Sequence, residues 1–291
     1  MINKLVVIGV GLIGGSLARA LRRADAVGEI VGVGRSRANM EKALSLGVID
    51  RIADQAHHAV SGAEVIFIGA TLGATERILE DLAGVLGNDT ILTDAGSTKS
   101  RLTRHARNVL GENFSRFVPG HPIAGTEESG VEASFPELFE RHKVILTPVA
   151  ETDGGALAQV ESMWRTVGAE VVKMDPDKHD RLLAATSHLP HVLAYGLVDA
   201  LARRADAEEI FDYAAGGFRD FTRIASSNPE MWRDISLANA AALADVLNDF
   251  SQVFAELSDA IRSGDAAAIE RIYARAKQTR DRVVMPSDNR S

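Results

Sequence analysis

The stretch Lys4-Leu-Val-Val-Ile-Gly-Val-Gly-Leu-Ile-Gly-Gly-Ser-Leu-Ala18 constrains the fold of this chain more than any other. An apolar run, Leu5 to Ile8, precedes a G-x-G-x-x-G spacing at Gly9, Gly11 and Gly14. An amphipathic segment with Leu17, Ala20 and Leu21 follows. This order predicts a buried strand, a tight turn and a helix. Each glycine has its own physical task. The first permits the turn, the second admits a pyrophosphate to the backbone, and the third lets helix and strand pack closely. The helix start, Leu12 and Ile13, then presents unpaired N–H groups and a positive dipole end to phosphate. Glycines alone mark many ordinary turns; a strand before and a helix after are the context that a dinucleotide site requires.

The second strand, Glu29 to Val33, ends in Gly34-Arg35-Ser36-Arg37. In a dinucleotide fold this strand end faces the adenine ribose. An acid there selects the 2′-hydroxyl of NAD, whereas arginine accommodates the 2′-phosphate of NADP. No acid stands here. Gly34 leaves room for the phosphate, and Arg35 can both stack on adenine and pair with the phosphate. Ser36 can donate a hydroxyl and Arg37 adds a second charge. NADP is the expected cofactor. NAD is the alternative, in which case these residues are a solvated basic turn before a helix over 38–46.

Glu64 to Ala70 reads as a central parallel strand, apolar almost throughout as such strands are. Its end brings Ala70 and Thr71 to the cofactor. A helix over 75–86 and a strand over 90–94 come next, the latter running into Asp94-Ala-Gly-Ser97-Thr-Lys99. This alternation implies right-handed crossovers and a Rossmann-type doubly wound sheet. Sites in such sheets lie beyond the carboxyl ends of the strands, where Ser97 and Lys99 fall. Helix capping by Ser97 and a surface position for Lys99 would explain them equally well. Pro119-Gly-His121-Pro-Ile-Ala-Gly-Thr126-Glu127 then reads as a rigid loop carrying one histidine, a side chain suited to proton transfer near neutral pH.

Val144 to Pro148 and Glu170 to Lys173 are two further strands, with a helix over 156–167 between them. No strand pattern appears after Met174-Asp-Pro176, so residues 1–173 are expected to form the dinucleotide-binding domain. Residues 174–291 are expected to form an all-helical substrate and dimerisation domain. A long helix from Asp177 to about Arg204 should kink at Pro190. His188 and His191, three apart, share a face, and His179 should lie on the opposite side. Gly216-Gly-Phe-Arg219-Asp220-Phe-Thr222-Arg223 suits a helix entry facing an anion, or a surface salt-bridge cluster. A helix from Pro229 to about Arg262 carries Leu243, Leu247, Phe250, Phe254, Leu257 and Ile261 at alternating four and three residues. That seam is either core or a dimer contact. A last helix, 266–284, precedes a polar tail expected to be disordered.

Composition excludes several classes. The chain has no cysteine, so it has neither disulfides nor thiolate metal sites; no metal is expected. No apolar run approaches the roughly 20 residues of a membrane span, and no leader is visible, which suits a cytoplasmic protein without a membrane partner. A net charge of −8 argues against nucleic acid as a partner.

Together these motifs resemble the prephenate/arogenate dehydrogenases of tyrosine biosynthesis. The likeness rests on Gly9–Ser16, Asp94–Lys99, Gly120–Glu127, Thr186–His191 and Gly216–Asp234. It implies an enzyme that removes a hydride from C4 of a cyclohexadienol and carbon dioxide from C1, making the ring aromatic. By this resemblance His121 is the base at the C4 hydroxyl and Ser97 orients that hydroxyl. His191 lies near the substrate side chain, with His188 supporting the same helix face, and Thr126 is a further substrate-binding residue. Arg223 binds the ring carboxylate and Trp232 closes the pocket, while Glu127 with Arg219 or Asp220 gates entry. The resemblance implies a homodimer through the C-terminal helices. The chorismate mutase or ligand-sensing module fused to some relatives has no counterpart here, so tyrosine inhibition would act in the active site. Prephenate and arogenate differ only in a keto or amino group, and one polar contact could decide between them. A β-hydroxyacid dehydrogenase or imine reductase is the rival within enzymes, but the former would carry a lysine where His188 and His191 stand. A non-catalytic NADP-sensing regulator is the rival outside them, and would not need His121, Ser97 and Arg223 together.

Overall fold

The computed structural model describes residues 1–126 and 128–284. Glu127 and the tail from 285 lie outside the described residues. Contacts divide the chain into two units, Met1–Ala240 and the residues from Ala241 onward.

The first unit is built on a six-stranded parallel sheet in the order β3-β2-β1-β4-β5-β6. The strands are β1 (Ile2–Ile8), β2 (Val27–Val33), β3 (Arg51–Ala53), β4 (Val65–Ile68), β5 (Ile91–Asp94) and β6 (Phe117–Val118). Helices α1 (Leu12–Arg23), α2 (Arg37–Ser45), α3 (Ala56–Ala59), α4 (Leu72–Leu82) and α5 (Ser100–Leu110) fill the crossovers. The apolar runs follow from burial on both faces. Leu5, Val7 and Phe67 enter one core with Trp164, whereas Val6, Ile8 and Ile66 enter the other with Leu79 and Leu102. The strand order reverses between β1 and β4, and there the chain is tightest. Gly9 has φ +95°, and a Cβ on it would lie 2.6 Å from the Gly69 carbonyl oxygen. A Cβ on Gly14 would strike the Gly9 carbonyl oxygen, whereas one on Gly11 would meet nothing within 4 Å. Two glycines thus serve packing, and the middle one faces open space.

A second sheet, absent from the expectation for the loop at 119–127, holds β7 (Gly120–Pro122), β8 (Lys143–Leu146) and β9 (Glu170–Lys173). β7 is antiparallel to β8, with His121 opposite Ile145, and β8 is parallel to β9. His121 is therefore held in a strand rather than a loop. Helix α6 (Gly154–Thr166) connects β8 to β9, and its Trp164 packs edge-on against Phe139 and Phe67.

The helical part of this unit follows β9. α7 (Pro176–Leu183) passes through a π-helical turn, Ala184–His188, into α8 (Leu189–Ala202). The break thus falls just before Pro190, which lacks the N–H a continuous helix needs. The shorter α9 (Ala207–Asp212) and α10 (Gly216–Thr222) lead to α11 (Pro229–Ala238). The long helix expected from Pro229 is interrupted at Asn239, whose φ is −116°. Its side-chain amide donates to the Asp180 carbonyl at 2.8 Å and meets His188 Nδ1 at 3.1 Å, which accounts for the break.

The second unit contains α12, which runs from Ala240 to Ser263, and α13 (Ala266–Val284). Gly264, at φ +67°, makes the turn, and Asp265 caps α13 through a bond to the Ala268 N–H at 2.9 Å. No helix among the described residues is long and apolar enough to cross a membrane.

Candidate active site

The end of β5 builds the floor of the site. Asp94 and Lys99, both fully buried, form an ion pair at 2.5 Å. Asp94 accepts from the Gly96 N–H at 2.7 Å and the Gly120 N–H at 3.1 Å, and Lys99 Nζ donates to the Gly120 carbonyl at 2.7 Å. Both backbone groups of Gly120 are thereby tied to β5, which fixes the next residue, His121. Lys99 is neither on the surface nor a substrate cation; it is the clamp between the two sheets. Ser97 does not cap α5. That helix is capped from outside: Asp180 accepts from the N–H groups of Lys99 at 2.8 Å and Ser100 at 2.9 Å. A carboxylate at a helix N-terminus satisfies its orphan donors and its dipole together.

A cavity of about 610 Å³ opens above this floor. It is lined by Gly11, Leu12 and Ile13 of the glycine turn, by Ala70 and Thr71 beyond β4, and by Ser97, His121 and Thr126. His191, Arg223 and Trp232 complete the opposite wall. Burial, with His179, Lys99 and His188 adding to it, holds the His121 imidazole well below its ordinary pKa. It is neutral at neutral pH, the form a base requires. His191 donates from Nδ1 to the Ser187 carbonyl at 2.9 Å and stacks on Trp232 at 3.5 Å with planes 19° apart. His188 is buried behind them, edge-on to Trp232 at 6.2 Å, and burial lowers its pKa to about 4. The expected opposition of His179 and His188 does not occur. The wider spacing of the π turn changes the helix phase, and both imidazoles act on His121.

Arg219 and Asp220 are exposed on α10 and do not line this cavity. The residues after β2 are also dispersed. A Cβ on Gly34 would lie 2.6 Å from the sulfur of Met40, so a side chain there needs the flexible end of Met40 to shift. Ser36 caps α2 through the Asn39 N–H at 3.2 Å, and Arg37 is paired with Glu41 at 2.8 Å and Asp54 at 3.4 Å. Arg35 instead lines a second cavity of about 420 Å³, which shares Thr71, Leu72 and Asp234 with the first. Arg77 of α4 lines it as well. Sequence reasoning missed Arg77, because a lone arginine on a helix carries no signal without its neighbours. It also missed His179, whose ring meets that of His121.

The glycine turn, the 3-2-1-4-5-6 sheet and a neutral histidine in one cavity define a nicotinamide-dinucleotide dehydrogenase. Family comparison narrows the class. The model for the prephenate dehydrogenase nucleotide-binding domain matches residues 17–173, and that for the prephenate dehydrogenase dimerization domain matches residues 175–275. The chain belongs to the prephenate dehydrogenase family. It is 37% identical to a cyclohexadienyl dehydrogenase of Zymomonas mobilis over 90% of this chain and 89% of that one. The structure of the Aquifex aeolicus prephenate dehydrogenase, in complex with hydroxyphenyl propionate and NAD+, superposes with a TM-score of 0.91 at 36% identity, covering 97% of this chain and 99% of that one. Synechocystis arogenate dehydrogenase superposes with a TM-score of 0.81 at 30% identity, covering 97% of this chain and all (100%) of that one.

Proposed function

We propose that this enzyme oxidatively decarboxylates prephenate, arogenate or both, within tyrosine biosynthesis, using NADP. The observation that carries the reading is one cavity shared by the glycine turn, a buried His121 whose pKa is held down, Arg223 and Trp232. Gly11 to Ile13 would hold the pyrophosphate of the oxidised dinucleotide, whose nicotinamide would supply the acceptor for the C4 hydride. His121 takes the C4 hydroxyl proton and returns it to the phenolic oxygen as carbon dioxide leaves C1. Substrate thus loses one hydride and one carbon dioxide, with no net proton released. Ser97 orients the hydroxyl, Arg223 pairs with the ring carboxylate, and Thr126 and His191 face the side chain. Trp232 covers the ring and excludes water, and His188 supports His191 from behind. Initial rates with each substrate and each cofactor test the reading. Absence of turnover with all four combinations would overturn it in favour of a cofactor-sensing role.

NADP is favoured by Arg35 and Arg77, which line one cavity with no ion pair among the described residues. Arg37 is engaged elsewhere, so Arg77 is the second cation of this reading. Charge-assisted bonds of this kind are worth about 1.5–3 kcal/mol when buried, and exposure here reduces them. Arg35→Ala with Arg77→Ala is expected to lower the ratio of kcat/KM for NADP to that for NAD by about ten- to a hundredfold. Equal efficiency with both cofactors in the unmutated enzyme would overturn the preference.

The enzyme assembles as a homodimer through α12 and α13. Supporting this, Phe254, Ile261 and Tyr273 are 56%, 58% and 56% exposed in the single chain, an apolar load that a partner would cover. Sedimentation at micromolar concentration is expected to show a dimer; a monomer would overturn the assignment.

A further inference from the structure

Behind His121 lies a chain of buried polar contacts that the reaction described above does not use. His121 Nδ1 is 2.9 Å from His179 Nε2, and His179 Nδ1 is 2.8 Å from Asp180 Oδ1. The His179 side chain is fully buried and that of Asp180 is 6% exposed. Asp180 ends the chain at the start of α5, where it accepts from the N–H groups of Lys99 and Ser100.

We propose that His179 and Asp180 are positioning residues that lock His121 in the tautomer with its proton on Nδ1, leaving the Nε2 lone pair for the substrate hydroxyl. The direction of the chain is set by groups that cannot reverse. Backbone N–H groups only donate, so the Asp180 carboxylate must accept from Lys99 and Ser100. Burial raises the pKa of Asp180, but the bonds from His179 and from those two amides outweigh it and hold the group below its ordinary value. Ionised, Asp180 has no proton to offer, so His179 must donate from Nδ1. Its Nε2 is then a bare acceptor, and His121 must donate to it from Nδ1. Only Nε2 of His121 remains for the reaction. The carboxylate also favours the cation that forms when Nε2 takes the hydroxyl proton. Lys99 and His188 oppose that cation, so the proton is held only until the phenolic oxygen reclaims it. The arrangement follows the logic of a carboxylate that orients a catalytic imidazole, with a second imidazole placed between them.

This proposal rests on His121 being the base, and the experiment separates the two ideas. In protein labelled with 15N-histidine, the resonances lost in His121→Asn identify His121. The expected result is a protonated Nδ1 and a bare Nε2; a protonated Nε2 in the unmutated enzyme would overturn the proposal, whatever the variants do. In turnover, His179→Leu is expected to lose about 10–10²-fold in kcat, with substrate KM and cofactor affinity within about threefold of the parent. His179→Gln, whose amide oxygen can accept from His121 Nδ1, should recover a large part of that loss. If His121→Asn is inactive while His179→Leu turns over like the parent, the tautomer lock fails and the base stands. If His121→Asn itself keeps full turnover, the base assignment fails first.

Discussion

Replacing His121 with asparagine is expected to lower turnover by about 10²–10⁴-fold, the usual range for a general base, while dinucleotide binding stays intact. Asparagine is smaller than histidine but keeps a polar atom near the place of Nδ1, and β7 needs only its backbone to pair with Ile145. Gly11, Leu12 and Ile13, the assigned cofactor contacts, follow β1 of the six-stranded sheet, whereas His121 lies in β7 of the second sheet. Titration of cofactor fluorescence and steady-state rates, measured together, separate the two effects. Turnover within about threefold of the parent would remove His121 from the chemistry. The loss should persist across neutral pH, because burial already keeps the imidazole uncharged there. Raising the pH would not rescue the variant, since asparagine has no basic site to free.

Lys99→Met is expected to be the most destabilising single change outside the apolar core. Removing one partner of a buried pair typically costs about 3–5 kcal/mol, because the other charge is left without compensation. Asp94 keeps two backbone donors, Gly96 and Gly120, so the lower end of that range applies. Thermal unfolding should move down by roughly 6–12 °C. Activity should fall as well, because Lys99 holds the Gly120 carbonyl beside His121. A loss below about 1 kcal/mol, the value of an ordinary hydrogen bond, would mean that the two amides hold Asp94 without the lysine.

What the sequence discloses depends on the range of the interaction. The glycine turn is local: Gly9, Gly11 and Gly14 lie within six residues, and their context of strand and helix is contiguous. The sheet order follows from alternation and handedness, which are also properties of neighbouring segments. Lys99 was ambiguous because its burial depends on Asp94 and Gly120 converging from two strands. A straight helix across 177–204 puts His179 opposite His188, and the π turn at Ala184–His188 that shifts the phase has no residue signature of its own. Asn239 breaks a helix without glycine or proline because its amide finds partners 59 and 51 residues away. In sequence, the residues after β2 form one cationic cluster. The structure separates them into a packing glycine, a helix cap, a paired arginine and Arg35 alone at a cavity.

Met40 gives this cluster a history as well as a geometry. Its buried side chain occupies the space a Cβ would need at Gly34, and its methyl would lie 2.7 Å from a Cβ at Gly32. An acid at Gly34 would meet the Met40 sulfur, so the side chain of Met40 would have to turn aside for it. A lineage placing an acid there would need Met40 to repack in the same or an earlier step. Neighbouring substitutions of this kind are non-additive, so the order in which they occur decides which paths remain open. Met40 lines neither cavity, yet its side chain would have to move before an acid could stand at Gly34.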